Sequence, residues 1–184
     1  GNPLSPYAVT KIVNELYANV FASTYGFKTI GLRYFNIFGK RQDPNGVYAA
    51  VIPSWMSSIL NNENIYINGD GKTTRDFCYI ANVLEINLLA ATTNNNDAIN
   101  QVYNVAVNDN ISLNQLYQMM EERLLQRNKD LIKKEPIYRD FRIGDVRHSL
   151  ADISKAKRLL GYQSKYTLSQ GLDELVDWYM NKIN

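Results

Sequence analysis

Tyr7 and Lys11 carry the clearest chemistry in the sequence. They stand in Ser5-Pro6-Tyr7-Ala8-Val9-Thr10-Lys11. Serine is a favoured N-cap and proline a favoured first helical residue, so a helix is predicted to begin at Pro6. A spacing of four residues puts the phenol and the ammonium side by side on one helical face. A cation beside a phenol stabilises the phenolate, which suits a group that must move protons near neutral pH. Val9, Ile12, Val13, Leu16 and Val20 form an apolar stripe along the same helix. At about 100° per residue the stripe is centred opposite Tyr7 and Lys11. The pair therefore does not share the surface of the stripe. Taken alone, Tyr-x-x-x-Lys also describes two exposed side chains on a solvated face, so the pair needs support from the rest of the chain.

The elements that could position such a pair follow in order. Lys28-Thr29-Ile30-Gly31-Leu32-Arg33-Tyr34-Phe35-Asn36-Ile37-Phe38-Gly39 reads as a strand ending in a polar, glycine-closed turn. Residues 47–61 read as a helix with Val51, Ile52, Trp55, Met56, Ile59 and Leu60 at helical spacing. Ile65 to Asn68 is a short strand, Val83 to Ala91 a helix, and Val102 to Val107 a strand. The polar run Thr92 to Asp97 is predicted to be a mobile loop. Ser112 is placed to cap a helix running to about Arg127, and Ile132 to Tyr138 is a strand candidate. A helix from Asp152 should stop at Gly161, and Thr167 should cap a last helix carrying Leu168, Leu172, Leu175, Val176 and Trp178. Alternating helices and strands point to an α/β architecture.

Bulk composition sets outer limits. The chain has 184 residues, 45% of them hydrophobic, enough for one compact core or slightly more. No apolar run is long enough to span a membrane. A net charge of +2 is too small to indicate nucleic acid. Cys78 is the one cysteine, so an internal disulfide is impossible, and its apolar neighbours suggest a buried thiol. His148 is the one histidine and is read as structural, so no metal site is expected.

The two opening segments resemble the extended short-chain dehydrogenase/reductase family, specifically its nucleotide-sugar epimerases and dehydratases. The resemblance continues through Tyr48-Ala49-Ala50-Val51-Ile52-Pro53, Tyr66-Ile67-Asn68-Gly69-Asp70-Gly71, Thr74-Arg75-Asp76-Phe77-Cys78-Tyr79-Ile80, Val102-Tyr103-Asn104-Val105 and Phe141-Arg142-Ile143-Gly144-Asp145-Val146-Arg147-His148-Ser149. It covers essentially the whole sequence in one order and is strongest to bacterial UDP-N-acetylglucosamine 4-epimerases. Such enzymes begin with a glycine-rich dinucleotide loop. No such spacing occurs here. Gly69 and Gly71 start one, but Thr74 stands where its third glycine would be. The chain is therefore expected to be the C-terminal part of an enzyme. Residues 1–39 would be a remnant of the Rossmann-type cofactor domain, and residues 40–184 the smaller α/β substrate-binding lobe. Residues 76–107 would return to the cofactor domain.

The resemblance also implies roles. Tyr7 would be the base for the sugar 4-hydroxyl, and Lys11 would lower its pKa and bond the ribose of bound NAD. Tyr34 and Ile37 would lie on the nicotinamide side, and Asn36 would donate to the sugar or diphosphate; Asn36 could equally just make the turn before Gly39. Arg75 and Arg142 would form a paired clamp on the diphosphate of a UDP-sugar, the charge a guanidinium fork suits. Tyr66 and Asn68 would lie along uracil, with Ala50 and Val51 meeting base and sugar at a helix start whose dipole favours an anion. Asp145 would hold the ribose or uridine, or else pair with Arg142 three residues before it. Ser149 would leave room for an N-acetyl group on the sugar 2-position, or else serve as a loop serine near the next helix. The implied activity is UDP-N-acetylglucosamine 4-epimerisation serving surface-polysaccharide synthesis in the cytoplasm, by a homodimer built through the Tyr7–Lys11 helix. UDP-glucose 4-epimerase, a nucleotide-sugar dehydratase and an inert UDP-sugar-binding piece are the alternatives.

Overall fold

A computed structural model describes residues 3–45, 50–142 and 144–183. Helix α1 (Pro6–Tyr25) begins where the capping residues place it: Ser5 Oγ accepts the Ala8 N–H at 3.2 Å, with Pro6 in the first turn. The following strand is split by Asn36 into β1 (Ile30–Tyr34) and β2 (Ile37–Phe38). Helix α2 (Val51–Leu60) follows, and positions 47–49 of the predicted helix lie outside the described residues.

Three short strands come next: β3 (Tyr66–Asn68), β4 (Thr74–Arg75) and β5 (Cys78–Tyr79). Helix α3 (Ile80–Thr92) starts three residues earlier than the apolar periodicity suggested, because it leaves β5 with no intervening loop. The chain then forms β6 (Gln101–Val105), β7 (Ile111–Ser112) and α4 (Leu113–Arg127). A full capping box of Ser112 and Gln115 opens α4. Strand β8 (Ile137–Arg139), α5 (Ser154–Leu160) and α6 (Leu168–Ile183) complete it. Thr167 and Gln170 exchange the same reciprocal bonds at the start of α6.

Strand pairing joins distant parts of the chain. β1 runs parallel to β6, with Ile30 opposite Gln101 and Tyr34 opposite Val105. β2 runs parallel to β5, so residues 78–105 return to the segment that follows α1. β3 pairs in parallel with β8, and β4 pairs antiparallel with β7. The predicted strand 132–138 shrinks to Ile137–Arg139 because β3 offers only three residues to pair with. Upstream, the Ile132 and Lys134 N–H groups donate instead to the side chains of Asn62 and Glu121. The Thr92–Asp97 run is likewise not a free loop: Asn95 donates to the Leu159 carbonyl and caps a short turn that buries Ala98.

Two apolar clusters fill the interior. One gathers Phe38, Ile52, Met56, Ile67, Leu116 and Leu172 between α2, α4, α6 and β3. The other gathers Cys78, Ile86, Tyr103, Val105, Ile153 and Tyr162 under β1, β6, α3 and α5. Ile80 packs against both. Gly171 lets α6 approach β2 and β5 closely, since a Cβ there would lie 2.7 Å from the Phe38 ring and 2.8 Å from Tyr79. Gly171→Ala is expected to lower stability by about 1–3 kcal/mol through overpacking, outweighing the roughly 1 kcal/mol that alanine gains in a helix. Urea unfolding would read this, and an unchanged midpoint would mean that α6 is not seated there.

Helix α1 lies outside this core. None of its residues is buried. Ala8, Ile12, Glu15, Ala18 and Ala22 are half-covered, and Glu15 forms a two-pronged ion pair with Arg33 of β1 at 2.6 Å. That hydrogen bond holds the Glu15 carboxyl below the usual carboxylate range. Most of the apolar stripe faces away from the core, with Val9, Val13, Leu16 and Val20 all exposed.

Candidate functional site

Two neighbouring hollows share part of their lining. The larger, of about 410 Å³, is lined by Asn36, Val51, Tyr66, Asn68, Arg75, Arg142 and Asp145 among others. The smaller, of about 320 Å³, is lined by Tyr34, Phe35, Asn36, Arg75, Asp145 and Ser149 together with Gly144 and Val146. Asn36, Arg75 and Asp145 belong to both and form the wall between them. Arg75 and Arg142, 67 residues apart in sequence, thus reach one cavity through the fold.

The β4–β7 pair positions Arg75. Its guanidinium donates to the Thr74 carbonyl at 2.8 Å and to the Arg147 carbonyl at 3.4 Å. The other fork pairs with Asp145. The Asp145 ion pair considered for Arg142 is therefore made with the other arginine, while the Asp145 N–H donates to the Arg142 carbonyl at 3.3 Å. Only 15% of the Arg75 side chain is exposed, against 46% for Asp145. The segment after β8 is drawn onto β4 by backbone as well: Thr74 N–H bonds the Arg147 carbonyl, and Ser149 N–H bonds the Thr74 carbonyl. His148 takes part in this seam through the Thr74 hydroxyl at 3.1 Å.

Tyr66 forms part of the far wall. Trp55 Nε1–H donates to its carbonyl at 3.3 Å, and the Arg139 guanidinium lies over its ring at 3.4 Å from the centroid. Behind Trp55, Tyr117 packs edge-on and donates to the buried Glu121 carboxylate at 2.6 Å. Burial, with that carboxylate beside it, pushes the Tyr117 phenol well above its usual range. The sequence reading missed Arg139, Ser54, Ser58 and Asn64 as cavity-lining residues. Ser54 and Ser58 were legible as the polar gap, four residues apart, in the apolar pattern of α2. Arg139 had no sequence signal, because its place depends on the β3–β8 register, which sets it opposite Asn68.

Asn36 sits at the centre with φ 37°, in the left-handed region that asparagine tolerates better than most residues. Its side-chain amide donates to the Asp76 carbonyl at 2.8 Å, and its own carbonyl accepts the Cys78 N–H at 3.3 Å. It makes the turn and also lines both hollows. Tyr34 borders the smaller hollow and donates to the Asn87 side chain at 3.1 Å.

Four expected site residues do not line either hollow. Ala50 is the N-cap of α2, one residue before the lining Val51. Ile37 is half-buried against the second apolar cluster. Tyr7 and Lys11 stand together on α1, the ammonium 5.0 Å from the ring centroid, with Tyr7 70% exposed. Cys78 is fully buried, and desolvation pushes its thiol up to about 11, which removes it as a nucleophile at neutral pH. The Gly69–Gly71 segment is a turn between β3 and β4, and Gly71 at φ 71° lies hard against the Asn114 side chain. It is not shaped as a phosphate loop leading into a helix.

Residues 1–106 match the NAD dependent epimerase/dehydratase family. The chain belongs to that family. A putative UDP-glucose 4-epimerase of Methanocaldococcus jannaschii is 35% identical over 98% of this chain and 55% of its own length. The crystal structure of a Thermotoga maritima UDP-glucose 4-epimerase with UDP-glucose matches 100% of this chain and 56% of its own, at 36% identity and a TM-score of 0.89. A UDP-N-acetylglucosamine 4-epimerase from Methanobrevibacter ruminantium, in complex with UDP-N-acetylmuramic acid, matches at 38% identity and a TM-score of 0.87 over 98% of this chain and 55% of its own. This epimerase/dehydratase chain thus spans about half the length of the relatives it matches. It has a mixed α/β fold that matches Rossmann-like epimerase structures over about half of their length. Among the described residues no helix is long and apolar enough to cross a membrane.

Proposed function

We propose that the full-length protein is a UDP-N-acetylhexosamine 4-epimerase that interconverts the gluco and galacto forms with bound NAD. The observation that carries this reading is the convergence of Arg75 and Arg142 on a cavity that also holds Tyr66, Asn68 and Asn36. In this reading the nucleoside lies against Tyr66 and Asn68 with Val51 and Ala50 beside it, and Asp145 bonds the ribose. The two guanidinium groups take the diphosphate, whose oxygens match a planar fork. The sugar enters the smaller hollow between Tyr34, Asn36 and Ser149. Residues 1–39 then belong to the cofactor domain with residues 76–107 returning to it, and the substrate lobe is the rest of 40–184.

The cofactor fits this chain at one end only. Tyr7 and Lys11 are exposed and would meet the nicotinamide ribose, with Tyr34 and Ile37 on the nicotinamide side. No glycine-rich dinucleotide spacing occurs in the sequence for the other end, so residues 1–184 alone are expected not to bind NAD. Bound NAD would supply hydride transfer at sugar C4. Tyr7 Oη would take the proton of the 4-hydroxyl as the ketone forms and return it afterwards, and Lys11 would hold the phenolate and orient the ribose. Asn36 and the arginines would keep the diphosphate fixed while the sugar presents either face.

The direct test is conversion of UDP-N-acetylglucosamine to its galacto epimer by the full-length protein with NAD. No epimerisation of any UDP-hexose would end the proposal. The N-acetyl assignment rests on Ser149, a small residue at the rim of the sugar hollow. Ser149→Tyr is expected to penalise UDP-N-acetylglucosamine far more than UDP-glucose by filling the space of the 2-substituent. If the ratio of kcat/KM for the two substrates stays put, Ser149 does not select. The product would feed a glycosyl transfer that consumes UDP-N-acetylhexosamine, as surface-polysaccharide synthesis in the cytoplasm does.

The exposed stripe of α1 also supports a homodimer through that helix. Val9, Val13, Leu16, Val20 and Phe21 form an exposed apolar row, the kind of surface that a partner chain covers. Sedimentation should show residues 1–184 self-associating, and Leu16→Glu should reverse it. A strictly monomeric chain at high concentration would count against the dimer.

A further inference from the structure

Asp76 has no part in the chemistry proposed above, yet it is fully buried directly behind Arg75, a residue of the wall between the two hollows. It follows Arg75 directly, and its carboxylate accepts the backbone N–H groups of Val107 and Asn108, each at 3.0 Å. The Ala151 N–H also favours its ionised form, though burial wins and raises the carboxyl above its ordinary range. A buried charge is costly, and an apolar or amide residue would usually serve a turn at less expense. The arrangement explains why a carboxylate stands here. Two N–H donors arrive at two separate oxygens, and only a group that accepts at both can satisfy them. An asparagine of the same shape would direct its own N–H₂ at one of the donors.

The backbone of the same residue is the other half of the arrangement. The Asp76 carbonyl holds the Asn36 side chain at 2.8 Å, and Asn36 keeps a positive φ of 37°. Asp76 thus connects the turn at 107–108 to Asn36 on one side and, through the peptide bond, to Arg75 on the other.

We propose that Asp76 is a positioning residue whose buried carboxylate fixes the backbone of residues 75 and 76, and thereby sets both Asn36 and the Arg75 guanidinium at the wall between the two hollows. The link to binding rests on the reading of that cavity as a UDP-sugar site. The link to geometry does not.

The test uses Asp76→Asn in the full-length protein, with Asp76→Ser as a second variant that keeps one acceptor and brings no misplaced N–H₂. Calorimetry with UDP and with uridine is run well below the melting temperature of each variant. The expected result is a loss of UDP affinity of roughly tenfold, the size of one charge-assisted bond, with uridine affinity unchanged. In an Arg75→Ala background the same substitution should cost UDP less than it does in the parent, because part of its effect passes through Arg75 and the rest through Asn36. Equal losses for UDP and uridine, or additive losses in the double variant, would overturn the proposal and leave Asp76 as a residue of general stability. A crystal structure of either variant decides the geometry independently: Asn36 should leave its positive φ and lose the bond to residue 76. Asn36 and Arg75 unmoved would refute the proposal whatever UDP does. Failure of the unmodified protein to bind UDP would instead refute the cavity reading, with the variant structure still deciding the role of Asp76.

Discussion

Tyr7→Phe in the full-length protein should lower turnover by about a hundredfold or more, some 2.7 kcal/mol of barrier, while UDP-sugar binding stays nearly intact. The substitution deletes one hydroxyl and keeps the ring. The contact between Lys11 and that ring, 5.0 Å from ammonium to centroid, survives it, so α1 should keep its shape. Because the change removes a proton-transfer group and not a binding contact, the loss should fall on kcat and not on substrate affinity. Steady-state kinetics paired with calorimetry would separate the two. A turnover within fivefold of the parent would remove Tyr7 from the proton-transfer role. A large rise in the dissociation constant with kcat unchanged would make it a binding contact instead.

The legible parts of this protein were those that depend on local chemistry. Ser5, Ser112 and Thr167 each accept the N–H that a capping residue should, so three helix starts could be read from single residues and their neighbours. The strand after α1 followed from its apolar run closed by Gly39, and the fifth helix from Asp152 at its start and Gly161 at its end. Contacts set by pairing register were less accessible. β8 is three residues long because β3 is, and nothing in Ile132–Tyr138 itself announces that limit. Arg139 enters the cavity through the same register. The convergence of Arg75 and Arg142 needs two separate strand pairs and the seam between Thr74, Arg147 and Ser149, none of which leaves a mark in composition. Resemblance to a family could nominate both arginines, whereas pattern reasoning saw two unrelated charges. The stripe on α1 was seen, but not that the core would use a different face. The half-covered face is instead the one that carries Ala8, Ala18 and Ala22, with the Glu15–Arg33 pair tying the helix to β1.

The two arginines should not be equivalent when removed. Arg142→Ala takes away one cation from an exposed position, and is expected to weaken UDP binding by about 1.5–3 kcal/mol, the range for a hydrogen bond to a charged group, with little change in melting temperature. Arg75→Ala does more. It removes a fork, takes one of two donors from each of the Thr74 and Arg147 carbonyls, and leaves Asp145 without its guanidinium partner, facing the place assigned to a diphosphate. Like charges at close range repel, so the loss should exceed that of Arg142→Ala. Arg75→Lys should restore little, since an ammonium cannot hold two carbonyls, a carboxylate and an anion with one planar geometry. Removing Asp145 as well, in Arg75→Ala/Asp145→Asn, should recover part of the affinity by lifting the repulsion. Titration of UDP at low and moderate salt would measure all four variants, with uridine as the phosphate-free control. The order expected in UDP affinity is parent, then Arg142→Ala, then Arg75→Ala, with the double variant above Arg75→Ala. If Arg75→Ala and Arg142→Ala both bind UDP as the parent does, the cavity holds no diphosphate. If the double variant falls below Arg75→Ala, Asp145 contributes more by holding the ribose than it costs as an unpaired charge.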